Sequence, residues 1–200
     1  MRKVNLFTNY YQCGDKNRQK ELDFCRDKNK EGLFDRVINF ENRPTYHHFF
    51  EATQQYPDDI NIFSNSDIYF NETIKLVHEI QPRQAYALTR WELEGDEIVK
   101  FEEKHQYNAE AKSKHSQDVW VFSGAVSGIY GNFHIGTPGC DNRIAYEISR
   151  KYSLLNPSNK IQCIHKHKEQ ARNYTISKAV PPPYMWVNVN GIEQPRRRRI

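Results

Sequence analysis

Ile60-Asn61-Ile62-Phe63-Ser64-Asn65-Ser66-Asp67 decides how the chain is read. The first four residues are β-formers in a run too short for a helix, and a polar cluster stops them, so they predict a buried strand ending in a loop. Pro57-Asp58-Asp59 supplies the turn before it. Upstream, Val4-Asn5-Leu6-Phe7 predicts a first strand closed by a polar turn at Thr8-Asn9. Residues 17–30 predict a solvated surface helix with apolar points at Leu22, Phe24 and Cys25, stopped by Gly32. A second strand falls at 34–40, and Pro44-Thr45 opens a helix that runs to about Tyr56.

Downstream, a short helix at 72–80 leads to a strand at 85–89 and a hairpin turning at Gly95-Asp96. A strand at 119–122 precedes a Gly-rich surface segment over 124–139. Ile144, Ala145, Ile148 and Tyr152 follow helical spacing over 141–152, and a late strand at 161–164 runs into His165-Lys166-His167. Strands alternating with helices over the first ninety residues predict an α/β domain whose central sheet is mostly parallel and flanked by helices.

Composition limits the function classes. Two hundred residues suffice for one domain with a full core. With 12 Tyr, 11 Phe and 3 Trp the chain is too aromatic for general disorder, although its mean hydropathy is only −0.88. No run approaches the ~18 apolar residues of a membrane span. The net charge of +4 is that of Arg196-Arg197-Arg198-Arg199: without those four of the 29 basic residues, 25 stand against 25 acidic ones. The body therefore carries no field for nucleic acid. Cys13, Cys25, Cys140 and Cys163 show no CxxC spacing, and Met1 leads straight into a strand. Free thiols in the cytoplasm are expected.

In open α/β sheets, ligands collect at the carboxyl ends of the strands. Three polar groups fall there: Thr8-Asn9, Asn65-Ser66-Asp67 and His165-Lys166-His167. Asp67 sets a carboxylate where a hard cation and phosphate oxygens can reach it; the plain alternative is an Asx turn. The imidazoles of His165 and His167 suit metal binding or proton transfer. They are expected to face opposite ways, so that one of them enters a given site; the plain alternative is a surface patch shared with Lys166 and Lys168. Asp141 opens a helix after Gly139-Cys140, as a cap or as a base whose pKa the helix start lowers. Asp118 precedes a strand and lines the same cleft, or merely starts the strand. Arg43 binds phosphate or pairs with Glu41, and Trp91 and Tyr107 stack on a sugar or belong to the core.

Taken in order, several runs resemble small glycosyltransferases of the GT-A fold. They are Glu41-Asn42-Arg43-Pro44-Thr45, Asn65-Ser66-Asp67-Ile68-Tyr69-Phe70, Leu88-Thr89-Arg90-Trp91 and Ser116-Gln117-Asp118-Val119-Trp120-Val121-Phe122, followed by 136–146, Asn156-Pro157-Ser158, His165 and His167. The set spans about residues 4–175 and is similar to the amino-terminal domains of chlorella-virus capsid glycosylation proteins, in a family with bacterial and viral members. The resemblance implies one GT-A (Rossmann-like) domain over 1–190. Its nucleotide-sugar half would be 1–90 and its acceptor half 91–178, with a basic linker or tail over 191–200 and further domains beyond it.

The resemblance further implies an Asp-x-Asp motif with a divalent metal. Asn65 replaces the first acid here, so Asp67 becomes the metal ligand, helped by His165 or His167, with Mn²⁺ or Mg²⁺ as cofactor. Thr8, Asn9, Arg43, Asn65, Ser66, Arg90, Trp91 and Asn142 are the implied substrate-binding set. Asp141 is the implied base of an inverting displacement, with Asp118 beside it. The implied reaction moves a sugar from a nucleotide-diphosphate sugar, UDP preferred, to a hydroxyl on a glycan or glycoprotein acceptor. Two alternatives stand next to it. One is a metal-dependent phosphoesterase built from Asp67, Asp118, Asp141, His165 and His167; the other is an inactive nucleotide-sugar binder.

Overall fold

A computed structural model describes residues 1–101, 117–167 and 179–189. Tyr107, Lys168 and the tail over 191–200 lie outside the described residues.

The first strand, β1 (Val4–Asn9), is followed by helix α1 (Lys16–Asn29), β2 (Arg36–Phe40), helix α2 (Tyr46–Thr53) and β3 (Ile60–Ser64). Then come β4 (Ile68–Phe70), a 3₁₀ helix (Glu72–Glu79), β5 (Gln84–Thr89) and the hairpin of β6 (Trp91–Glu94) and β7 (Glu97–Lys100). The last elements are β8 (Gln117–Ser123), helix α3 (Cys140–Ser149), β9 (Ser153–Leu155) and β10 (Cys163–His165).

Local chemistry explains the helix starts. Asp15 caps α1 by accepting from the N–H groups of Asn17 and Arg18, and Thr45 caps α2 in a reciprocal box with His48. Both satisfy donors that a helix start leaves open.

The six strands of the main sheet run β2-β1-β3-β8-β5-β9. β1 pairs in parallel with β2 and β3, and β5 with β9, whereas β8 is antiparallel to both β3 and β5. Five strands thus share one direction and the sixth is reversed. The fold is α/β with a mostly parallel main sheet, as expected, and the one reversed strand, β8, makes that sheet mixed. Apolar patterning reveals burial on both faces, not strand direction. Between β5 and β8 the described residues form the β6–β7 hairpin. A second, four-stranded sheet runs β4-β10-β6-β7. Both sheets draw strands from either side of residue 90.

Side chains alternate across the main sheet into two cores. Phe7, Phe63, Ala85, Ala87, Trp120 and Phe122 face α2 and α3, where Phe49 stacks on Phe63 with centroids 4.9 Å apart. Leu6, Ile60, Ile62, Leu88, Val119 and Val121 face the 3₁₀ helix and β4. β1 lies between β2 and β3, so the strand order reverses there, and the carboxyl ends of β1 and β3 are the kind of switch point at which open α/β sheets hold ligands.

Several expectations need correction. Thr8 and Asn9 are not a turn but the last residues of β1, both buried. The α1 helix is not simply solvated, because Arg18, Glu21, Leu22, Cys25 and Asn29 are buried. Asp118 lies inside β8 and His165 inside β10, rather than just outside those strands. The Gly-rich segment is not all surface, since Val126, Ile129 and Ile135 are buried. The strands β4 and β9, three residues each, were not foreseen. All four cysteines are free, as expected.

Candidate active site

The loop after β3 turns back into β4, and this reversal sets Asp67 under the end of β10. The pairing of Ile68 with His165 fixes the juxtaposition. His165 Nε2 and His167 Nδ1 each lie 3.3 Å from Asp67 Oδ2. The three residues offer ligand atoms within 4.8 Å of one another, so the group can hold a metal ion. Asp67 and His165 are buried and His167 is half-buried. The expectation that the two rings face apart fails: residues two apart in extended chain share a face, and the ring centroids are 5.3 Å apart.

Around this group stand residues that sequence reasoning missed. Glu92 Oε2 is 2.9 Å from His165 Nδ1, and Glu92 Oε1 accepts from Arg90 Nε at 2.6 Å. The imidazole is thereby held between two carboxylates, an arrangement that orients a metal-binding histidine. Arg18 Nη2 donates to Asp67 Oδ2 at 2.6 Å and Arg18 Nη1 to Glu21 Oε2 at 2.9 Å. Burial alone would raise the Asp67 pKa, but His165, His167 and Arg18 outweigh it and hold the carboxyl well below the ordinary range. Burial would lower the pKa of His165, yet Asp67 and Glu92 lift it to about 9. Without a metal, the cluster is a buried ionic network.

The second group lies on the α2–α3 side. Gly139, at φ +78°, is the N-cap of α3, and a Cβ there would sit 2.9 Å from Tyr184 Oη and 3.1 Å from the Val180 carbonyl oxygen. This left-handed residue starts the helix and sets Asp141 in its first turn. Asp141 Oδ1 accepts from Tyr46 Oη at 3.1 Å and from Cys140 Sγ at 3.3 Å. Oδ2 makes no hydrogen bond among the described residues. The helix start was expected to lower this pKa. Instead burial, with the charge of Asp118 added, raises it to about 7.

Asp118 Oδ1 accepts from Asn65 Nδ2 at 2.8 Å, and its Oδ2 faces Arg90 Nη1 at 3.4 Å. Arg90 joins the two groups: its charge acts on His165 and on Asp141, and it feels those of Asp118, Glu92 and Asp67.

At the carboxyl ends of β1 and β3, Thr8 Oγ1 donates to the Asn65 carbonyl at 3.4 Å. Asn9 Oδ1 and Ser64 Oγ are buried there without a hydrogen-bond partner among the described residues. Buried polar atoms are seldom left so. Ser66 lies half-buried beside them.

The remaining expected contacts are engaged elsewhere. Arg43 donates from Nε to the Ile135 carbonyl at 2.7 Å. Trp91 donates its indole N–H to the Ser158 carbonyl at 2.8 Å and packs beside Cys25, Tyr69 and Ile164. Asn142 binds the extended segment through Met185, whose N–H donates to the Asn142 carbonyl at 2.9 Å.

No protein-family model matches the chain, and no curated protein matches it either. No helix among the described residues is long and apolar enough to cross a membrane.

Proposed function

We propose that the protein is a metal-dependent glycosyltransferase of the GT-A type, moving a sugar from a nucleotide-diphosphate sugar to a hydroxyl acceptor with inversion. The observation that carries this reading is the convergence of Asp67, His165 and His167 on one point at the sheet's carboxyl edge. Asp141 is joined to that point electrostatically through Arg90. Two imidazoles and a carboxylate favour a first-row transition ion such as Mn²⁺ over Mg²⁺, which prefers oxygen ligands. When bound, such an ion supplies charge neutralisation for the leaving diphosphate.

The chain's own residues do the rest. Asn9 and Ser64 offer hydrogen-bonding atoms to the nucleoside at the carboxyl ends of β1 and β3. The Asp141 carboxylate takes the acceptor hydroxyl proton on Oδ2, while Tyr46 and Cys140 hold Oδ1. The acceptor oxygen bonds to the anomeric carbon as the bond from that carbon to the phosphate oxygen breaks, and the nucleoside diphosphate leaves with the electron pair. A base with a pKa near 7 is matched to neutral pH. Asp118 acts as a positioning residue, holding Asn65 and Arg90.

The phosphoesterase alternative is weaker. It needs carboxylates gathered around two ions ~3.5–4 Å apart, and among the described residues neither Asp118 nor Asp141 joins the metal-holding group. The test is incubation with UDP-, GDP- and dTDP-sugars, with and without Mn²⁺. Metal-dependent release of nucleoside diphosphate that Asp67→Asn abolishes supports the transferase. Monophosphate release identifies a phosphoesterase, and binding without turnover refutes both enzymes.

A further inference from the structure

The pairing of Arg18 with Asp67 has no role in the displacement chemistry, yet it is among the shortest buried contacts in the site. The Asp67 Oδ2 atom is shared by Arg18 Nη2 at 2.6 Å, His165 Nε2 at 3.3 Å and His167 Nδ1 at 3.3 Å. This is the carboxylate oxygen on which the two histidines converge. A divalent ion bound by these residues would stand ~2.0–2.2 Å from its oxygen ligand. A guanidinium held at hydrogen-bond distance from the same atom would then face that ion with like charge and little water between them. The two cations therefore compete for Oδ2.

The geometry says which one can give way. Arg18 is in the first turn of α1 and holds Glu21, three residues on in the same helix, at 2.9 Å. Its Nη2 can therefore leave Asp67 while Nη1 keeps its partner. The guanidinium stays charged under all conditions, and its side chain is only 7% exposed. With Glu21 as its one remaining carboxylate, the freed Nη2 is a buried donor open to a further anion, since a buried charge that loses a partner is costly. At the start of α1 the N–H groups of Asn17 and Arg18 already donate to Asp15, so the guanidinium is the donor argued here for an anion. The ligand class that fits a planar fork beside a divalent ion is a phosphate or diphosphate, gripped by two parallel hydrogen bonds.

We propose that Arg18 is an exchangeable counter-cation: it occupies Asp67 until a divalent ion binds, and then turns to the diphosphate that arrives with the ion. This rests on the transferase reading of the site and adds a property to it. Metal alone is opposed by Arg18, whereas metal and diphosphate together are favoured by it, so their binding is reciprocally coupled.

The test uses the full chain and two probes, Mn²⁺ alone and the preformed Mn²⁺–UDP complex, each titrated calorimetrically into wild type, Arg18→Met and Arg18→Lys. Arg18→Met is expected to bind Mn²⁺ alone about tenfold tighter than wild type and the Mn²⁺–UDP complex about tenfold weaker, within the usual span of coupling between sites. A purely structural role for Arg18 would weaken both. Arg18→Lys keeps the charge but not the fork; it should leave Mn²⁺ affinity near wild type and still weaken the complex, and this holds the test open should Arg18→Met fold poorly. Changes of the same sign for both probes in Arg18→Met, or an unweakened complex in Arg18→Lys, overturn the proposal while leaving the transferase reading intact. Failure of wild type to bind the Mn²⁺–UDP complex removes both.

Discussion

Replacing Asp141 by Asn should make the protein more stable, and increasingly so as the pH rises. Burial and the Asp118 charge lift the native Asp141 pKa from the ordinary 3.8 to about 7. Between those values the native carboxyl is protonated while the unfolded one is ionised, so folding takes up a proton there. The stability from this group therefore falls as pH rises through the window, and below 3.8 nothing is lost. Roughly three units at ~1.36 kcal/mol each put the full cost above pH 7 at about 4 kcal/mol. Less than half of it is present at pH 5 and nearly all of it at pH 8. Asn stays neutral throughout and keeps an oxygen to accept from Tyr46 and Cys140. The advantage of Asp141→Asn over wild type should thus be about 2–3 kcal/mol larger at pH 8 than at pH 5, or ~5–10 °C in Tm for a chain of this size. Urea denaturation and thermal melts of both proteins at the two pH values measure it, and carboxyl NMR gives the titration midpoint of Asp141 directly. A stability difference that is the same at pH 5 and pH 8, or a midpoint near 4, would refute the reasoning. It would also leave the proposed base without its match to neutral pH, since a stability cost concentrated on one carboxylate is what a functional group in a buried position is expected to show.

Two further outcomes follow from the packing. Glu92→Gln removes the carboxylate behind His165, and Mn²⁺ affinity measured calorimetrically should drop ~10–100-fold while the fold persists. Trp120→Ala opens a cavity in the core against α2 and α3, where the ring is 2% exposed, and should cost ~3–5 kcal/mol in urea denaturation.

What the chain announced in advance was the set of residues nearest its strands. Asp67 follows an apolar run and Asp141 opens a periodic one, so local pattern alone puts the first at a strand's carboxyl end and the second at a helix start. His165 and His167 were visible as well, but their convergence was misjudged; only the β4–β10 pairing shows that both rings meet one carboxylate. β4 itself escaped notice because Ile68-Tyr69-Phe70 is three residues long, too short to display a period. With it went the sheet that assembles the metal group.

The residues that could not be read are those whose meaning lies in a distant partner. Arg18 and Glu21 sit in a helix so rich in charge that nothing separates them from its solvated neighbours; Arg18 is set apart by Asp67, 49 positions away. Glu92 looks like one acid of a hairpin and gains its role from His165, 73 positions on. Tyr46 counts as a core aromatic until its hydroxyl is found on Asp141. In each case sequence distance hides a buried charge or hydroxyl that could not persist without its partner. The same rule explains the one pKa read with the wrong sign. A helix start stabilises a carboxylate by about 0.3–1 kcal/mol at the surface, but a buried carboxylate facing a second one loses more than that. Only the fold shows that β8 brings Asp118 to face Asp141. The position of the site was thus encoded locally, and its electrostatics were encoded in pairings between strands.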